Sequence, residues 1–191
     1  MRRRLFLQFP LVVSSLTAAV QAAAAQGSTT QEQPKPGKGF KVAAGESHQQ
    51  EELLIMGGRF DCLVSGKDTN GSLLIYDTRR EEKGGPALHF HYNQDEWFYV
   101  MKGEFIFRVG EETFNLKPGD SAFAPRKIAH AFAKTSEGEA QMMVLFQPAG
   151  MMEDFFLEMS KTGKGILKDE QVMRKLWQTH GMEIVGPPLK F

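Results

Sequence analysis

Gly85-Pro86-Ala87-Leu88-His89-Phe90-His91-Tyr92-Asn93-Gln94-Asp95-Glu96-Trp97-Phe98-Tyr99-Val100-Met101-Lys102-Gly103 is the stretch on which the reading of this chain turns. Read as a strand, it sends His89 and His91, two positions apart, to the same face. Asn93-Gln94-Asp95 is a short polar turn, and Glu96 opens a second apolar run that Lys102-Gly103 closes. The expectation is a hairpin that faces two imidazoles with one carboxylate. Farther on, Pro118-Gly119-Asp120 makes a turn, and Ser121 to Pro125 reads as a strand leading through Arg126-Lys127-Ile128-Ala129 to His130. A third imidazole from that distant strand would complete three nitrogens and one oxygen, a set suited to a divalent transition metal.

These residues resemble the cupin superfamily, whose first motif reads roughly G(X)5HXH(X)3-4E(X)6G. Here His89-x-His91 is followed by four residues, Glu96, six residues and Gly103. The second motif, roughly G(X)5PXG(X)2H(X)3N, is matched by Gly119, Pro125 and His130, with Lys127 in place of the glycine and Lys134 in place of the asparagine. Lys83 stands at the nominal leading glycine, and Gly84-Gly85 follow it. The departures touch loop positions and spare all four ligand positions. The match runs over about residues 57 to 148. The resemblance implies a cupin double-stranded β-helix, a jelly-roll barrel, with metal ligands His89, His91, Glu96 and His130. HxH occurs once and no internal repeat appears, so one cupin unit is expected.

Working outward, the 191-residue chain is 41% hydrophobic with 15 Phe, the make-up of a folded domain with a sizeable core. Its formal net charge is zero, and no basic patch interleaved with aromatics points to nucleic acid. Arg2-Arg3-Arg4 precede an alanine-rich apolar run ending at Ala25, the layout of a secretory signal. Arg3-Arg4-Leu5-Phe6-Leu7-Gln8 also resembles the twin-arginine signal. The expectation is an exported protein, periplasmic or extracellular, with residues 1–25 removed and no stable membrane insertion afterwards. The alternative is an uncleaved anchor, although the run is shorter than the ~20 residues of a spanning helix. Cleavage would leave 20 basic against 23 acidic residues, a net charge of −3. Cys62 is the single cysteine, which excludes an intramolecular disulfide and a thiolate zinc cluster.

Residues 26–50, rich in Gly, Pro and Gln, read as a flexible linker, with His48 in a solvated stretch. Residues 51–150 read as the barrel. Phe60 to Ser65 and Leu73 to Thr78 flank Asn70-Gly71, a strong hairpin cue. Arg79-Arg80-Glu81-Glu82-Lys83 is a charge run, most simply a solvated loop. Glu104 to Val109, Glu112 to Lys117, Ser121 to Pro125, His130 to Lys134 and Glu139 to Gln147 follow as short strands. The class is therefore all-β, an antiparallel sandwich or barrel. Residues 151–191 read as a helical extension. Met152 to Met159 carries Phe155, Phe156 and Met159 on one side, and Asp169 to Thr179 carries Val172, Met173 and Leu176. His180 is read as a structural residue at a helix end.

Four inward polar groups in a barrel are costly unless a cation compensates them. The alternative is a set of satisfied polar residues on a fold without metal. Mixed N/O ligation admits Fe, Mn, Ni, Cu, Co or Zn. Glu96 has a second role open to it, as the base that takes a proton from a substrate hydroxyl. Alternation turns Phe98 and Val100 inward beside it; with Phe123 these are the expected pocket residues. Gly-Gly-Pro-x-Leu-His-x-His followed by Gln-Asp-Glu-Trp-Phe-Tyr-Val is similar to the quercetin-dioxygenase-like cupins. That likeness implies an oxygen-using cleavage of a flavonol or similar enol, with dioxygen as co-substrate, in a subunit of a homodimer. A metal-containing binding module without turnover and a metal-assisted isomerase or hydrolase remain alternatives on the same ligands.

Overall fold

The computed structural model describes residues 37–48, 53–162 and 169–191. The arginine-led segment 1–25 and most of 26–50 lie outside them. Eleven strands among the described residues form two antiparallel sheets. The first runs, in spatial order, β1 (Leu53–Ile55), β2 (Gly58–Val64), β3 (Leu74–Arg80), β10 (Ala140–Gln147), β5 (Asp95–Lys102) and β8 (Ser121–Ala124). The second runs β11 (Met182–Pro188), β4 (Ala87–His91), β9 (His130–Lys134), β6 (Phe105–Val109) and β7 (Glu112–Leu116). This is the all-β jelly roll expected. Its core lies between the sheets because the strands alternate. Ala140, Met142, Val144 and Phe146 of β10 are buried, as are Phe98 and Val100 of β5.

One expectation fails in an instructive way. The two-histidine strand and the Glu96 strand do not pair with each other. β4 belongs to the second sheet and β5 to the first, so the chain crosses the sandwich between His91 and Asp95. The histidines and the glutamate therefore meet across the interior and not along a hairpin. Gln94, buried at that crossing, packs so closely on Gly150 that a Cβ there would fall 1.6 Å from its amide nitrogen.

Smaller corrections have local causes. β2 and β3 do pair, but the connection holds a short 3-10 helix, Gly66–Thr69. Ser65 and Asp68 form its capping box, and Asn70 closes it at φ 53°. Arg79 and Arg80, read as loop, are the last residues of β3. Part of the stretch read as linker lies along β2. The Arg59 guanidinium donates to the Gly45 carbonyl at 3.1 Å, the Cys62 N–H to Ser47 Oγ at 3.1 Å, and the His48 N–H to the Cys62 carbonyl at 2.7 Å. The His48 ring stacks on Phe40 and lies 3.2 Å from Asp68.

Helices α1 (Met152–Lys161) and α2 (Glu170–Thr179) appear where the apolar spacing placed them. Asp169 caps α2 by accepting from the Gln171 and Val172 N–H groups. Phe155, Phe156 and Met159 of α1 and Met173, Leu176 and Trp177 of α2 join the barrel core. Val172, expected on that face, is exposed. The C-terminal extension is not wholly helical, because β11 adds an edge strand beside β4. Gly186, Pro187 and Pro188 hide it from sequence reading, yet an edge is where a strand tolerates proline. His180 closes α2, buried, with Nδ1 at 2.9 Å from the Leu176 carbonyl. No helix among the described residues is long and apolar enough to cross a membrane.

Candidate metal centre

β4 and β9 are neighbours in register with His89 opposite His130, which sets the two rings 4.5 Å apart. His91 follows on the same face of β4, its ring 5.2 Å from that of His89. Glu96 enters from the facing sheet. Its Oε2 lies 3.1 Å from His91 Nε2 and 2.8 Å from His130 Nε2. All four side chains are buried, and one ligand atom from each lies within 4.8 Å of the others. Two bonds of about 2.1 Å to a common ion span at most about 4.2 Å, so a small side-chain adjustment lets all four share one.

The hydrogen bonds around the cluster fit such an ion. His89 Nδ1 sits 2.8 Å from the Ala87 carbonyl and His130 Nδ1 2.9 Å from the Ile128 carbonyl. A carbonyl only accepts, so each Nδ1 carries the proton and each Nε2 presents its lone pair inward. At His130 that lone pair would face a carboxylate oxygen at 2.8 Å. Two such atoms repel unless a cation, proton or metal, lies between them. Burial, with His130 and His91 beside it, holds His89 well below the ordinary imidazole range, so it is neutral and free to ligate. Burial pushes the Glu96 carboxyl up, but hydrogen bonds with His130 and His91 outweigh it and leave Glu96 below the usual carboxylate range. Glu96 is thus an ionised carboxylate in an apolar interior.

The loop before His130 keeps its geometry despite Lys127. That residue sits at φ 66°, the left-handed region that glycine adopts without strain, and its N–H donates to the His91 carbonyl at 2.7 Å. Lys134 is fully buried, its Nζ donating to the Glu81 and Ser136 carbonyls at 2.9 and 2.7 Å. Both lysines thus serve the scaffold. Asp95, next to Glu96, grips Arg126 through paired bonds of 2.9 and 2.6 Å and accepts its backbone N–H at 2.9 Å. Those bonds lower Asp95 from 3.8 to about 2. A folded-state value below the unfolded one means the contribution is complete above about pH 4 and drains away as pH falls through 2. Asp95→Asn should therefore lower stability at neutral pH, with the gap from wild type closing as pH falls toward 2, as followed by urea unfolding at several pH values.

Beside the four ligands opens a cavity walled mainly by apolar side chains, with about 80 Å³ of space for the centre of a water molecule. His89, His91 and Glu96 floor it; Phe146, Phe155, Phe156 and Trp177 are among its walls. Trp177 meets His89 edge-on at 4.7 Å. The expected pocket residues are placed elsewhere. Phe98 and Val100 do point inward, but they are packed in the core and do not line the cavity. Phe123 is 55% exposed. β8 pairs with β5 in the register Trp97↔Phe123, and directly opposed residues share a face, so Phe123 follows Trp97 outward. The residues missed were Phe155 and Phe156, read in the sequence only as a helix face, Trp177, which the sequence reading did not single out, and Arg80, which continues the inward alternation of Leu74, Tyr76 and Thr78.

Residues 79–146 match the cupin domain family, and they span both ligand-bearing segments. Over 111 residues, 58% of the chain, the protein is 23% identical to a quercetin 2,3-dioxygenase of Bacillus subtilis, covering 32% of that relative. It is 33% identical over 67 residues to an uncharacterized protein of Aquifex aeolicus, 35% of this chain and 54% of that one. The chain therefore spans from about a third to about half the length of these curated relatives. An RmlC-like cupin from Shewanella frigidimarina shares the fold, with TM-score 0.50 and 24% identity, covering 63% of this chain and 99% of that one. The cluster of His89, His91, Glu96 and His130 is compatible with one divalent transition metal.

Proposed function

We propose that the protein is a metal-dependent dioxygenase acting on a small enolisable substrate, with Glu96 as the base. The observation that carries this reading is a three-nitrogen, one-oxygen ligand set opening into a cavity walled mainly by apolar side chains. His89, His91, Glu96 and His130 would hold a divalent ion, which when bound supplies a Lewis acid with open coordination positions. Glu96, ionised in the folded protein, would take a proton from a substrate hydroxyl at its carboxylate oxygen. Ala87 and Ile128 fix two of the imidazoles through their Nδ1 atoms, and Trp177 braces the His89 ring. Phe146, Phe155 and Phe156 exclude bulk water, which strengthens every charge interaction inside.

The test is oxygen uptake by protein reloaded with Fe, Mn, Ni or Cu, screened against small enolisable substrates. Uptake should match product formation, and Glu96→Gln should lower the rate by about 10²–10⁴-fold. Equal turnover without oxygen would replace this reading with an isomerase or hydrolase. Saturable binding without any product would replace it with a binding module.

A further inference from the structure

β3 turns Leu74, Tyr76, Thr78 and Arg80 toward the interior, while Arg79 points outward onto Asp61 and Asp77. An inward arginine on a barrel strand is unusual, because its charge must be compensated there. Two of its five N–H groups are used, at 2.8 Å on the Gly84 carbonyl and 2.8 Å on the Met56 carbonyl. The guanidinium also lies 5.8 Å from the centre of the Phe132 ring. No carboxylate among the described residues forms an ion pair with Arg80, and Glu82 acts on it only through space. Burial accordingly lowers its pKa. Arg80 lines the cavity that reaches the metal ligands, and with Met56 and Met159 it also lines an outer groove, so it stands at the mouth between the two. Trp177, on the cavity wall, has a buried indole N–H without a protein partner. The lining thus offers the Arg80 guanidinium and the Trp177 N–H as donors, and its one carboxylate is the metal-binding Glu96.

We infer that Arg80 selects a small carboxylate as the ligand of this cavity, its anion set against the guanidinium. Resting on the proposed enolisable substrate, this narrows the class to a small enolisable acid such as a 2-oxo acid. The ligand's own negative charge supplies the counter-ion that Arg80 lacks, and its aliphatic part meets the apolar wall.

The experiment titrates pyruvate and its neutral isostere pyruvamide calorimetrically into full-length protein loaded with redox-silent zinc, as wild type, Arg80→Gln and Arg80→Lys. Wild type should prefer pyruvate by at least about tenfold, the usual scale for a desolvated charge contact. Arg80→Gln should erase the preference with zinc content unchanged, and Arg80→Lys should keep part of it. Equal binding of the two probes to wild type, no pyruvate binding, or a preference that survives in Arg80→Gln overturns the assignment. Should Arg80→Gln fail to fold, a reduced preference in Arg80→Lys supports the assignment and a preference equal to that of wild type overturns it. Should the protein hold no zinc, the metal reading fails by itself. The same titration on zinc-free protein then still supports Arg80 if the preference remains, and overturns it if not.

Discussion

His130→Ala is expected to strip the protein of its metal. Purified wild type should hold one divalent transition-metal ion per chain by elemental analysis, and the variant almost none. His130 is the only ligand from outside the β4–β5 segment, and its Nε2 is the nitrogen closest to Glu96, at 2.8 Å. Removing it deletes a bond to the ion and leaves the carboxylate held by His91 alone. Loss of an outer-shell partner typically costs 10–100-fold in metal affinity; loss of a ligand should exceed about a thousandfold. Stability reports the same event by mass action. Metal at about 100 times its dissociation constant stabilises the wild type by about 2.7 kcal/mol, roughly 5–10 °C in Tm for a chain of this size. That gain should vanish in His130→Ala and on chelation of the wild type. His180→Ala is the control, since His180 is equally buried but bonds to the Leu176 carbonyl, outside the cluster. If His180→Ala lost the metal and His130→Ala kept it, the proposed ligand set would be wrong.

Gly85→Ala is expected to be the most damaging single methyl group in the barrel. An ideal Cβ at Gly85 would lie 1.8 Å from the Phe132 carbonyl oxygen, and backbone cannot turn aside as a side chain can. The neighbouring bridge, in which the Gly84 N–H donates to the Lys134 carbonyl at 3.1 Å and the Lys134 N–H to the Gly84 carbonyl at 2.9 Å, anchors this contact to β9. Relief would require β4 and β9 to part near the histidines. A loss of about 3 kcal/mol or more is expected in urea unfolding, with a fall in metal affinity. Gly39→Ala, where nothing lies within 4 Å, should stay within about 0.5 kcal/mol of wild type. Equal effects from the two substitutions would contradict the close packing of Gly85.

The two histidines of β4 were legible as neighbours because their signal is local. HxH puts two imidazoles on one side of any strand, whichever strand lies next to it. The pocket was not legible for the converse reason. Parity says which way Phe98 and Val100 point, but not how far along the barrel they lie from the cavity. The outward turn of Phe123 follows from its pairing with Trp97, a register that no single strand encodes. Arg80 was masked by its company: within Arg79-Arg80-Glu81-Glu82-Lys83 it looks like one charge in a solvated run. Only the extension of β3 to residue 80 reveals that alternation still holds there.

From residues alone came the strand-rich class, the two helices after residue 150 and the identity of four donors with their chemistry, all of them properties of spacing and residue type. The tertiary structure decided that Glu96 faces the histidines from the opposite sheet, that α1 and α2 wall the cavity, and that an arginine stands at its mouth. Those are distances between segments far apart in the chain, and local periodicity carries no information about which segments the core brings together.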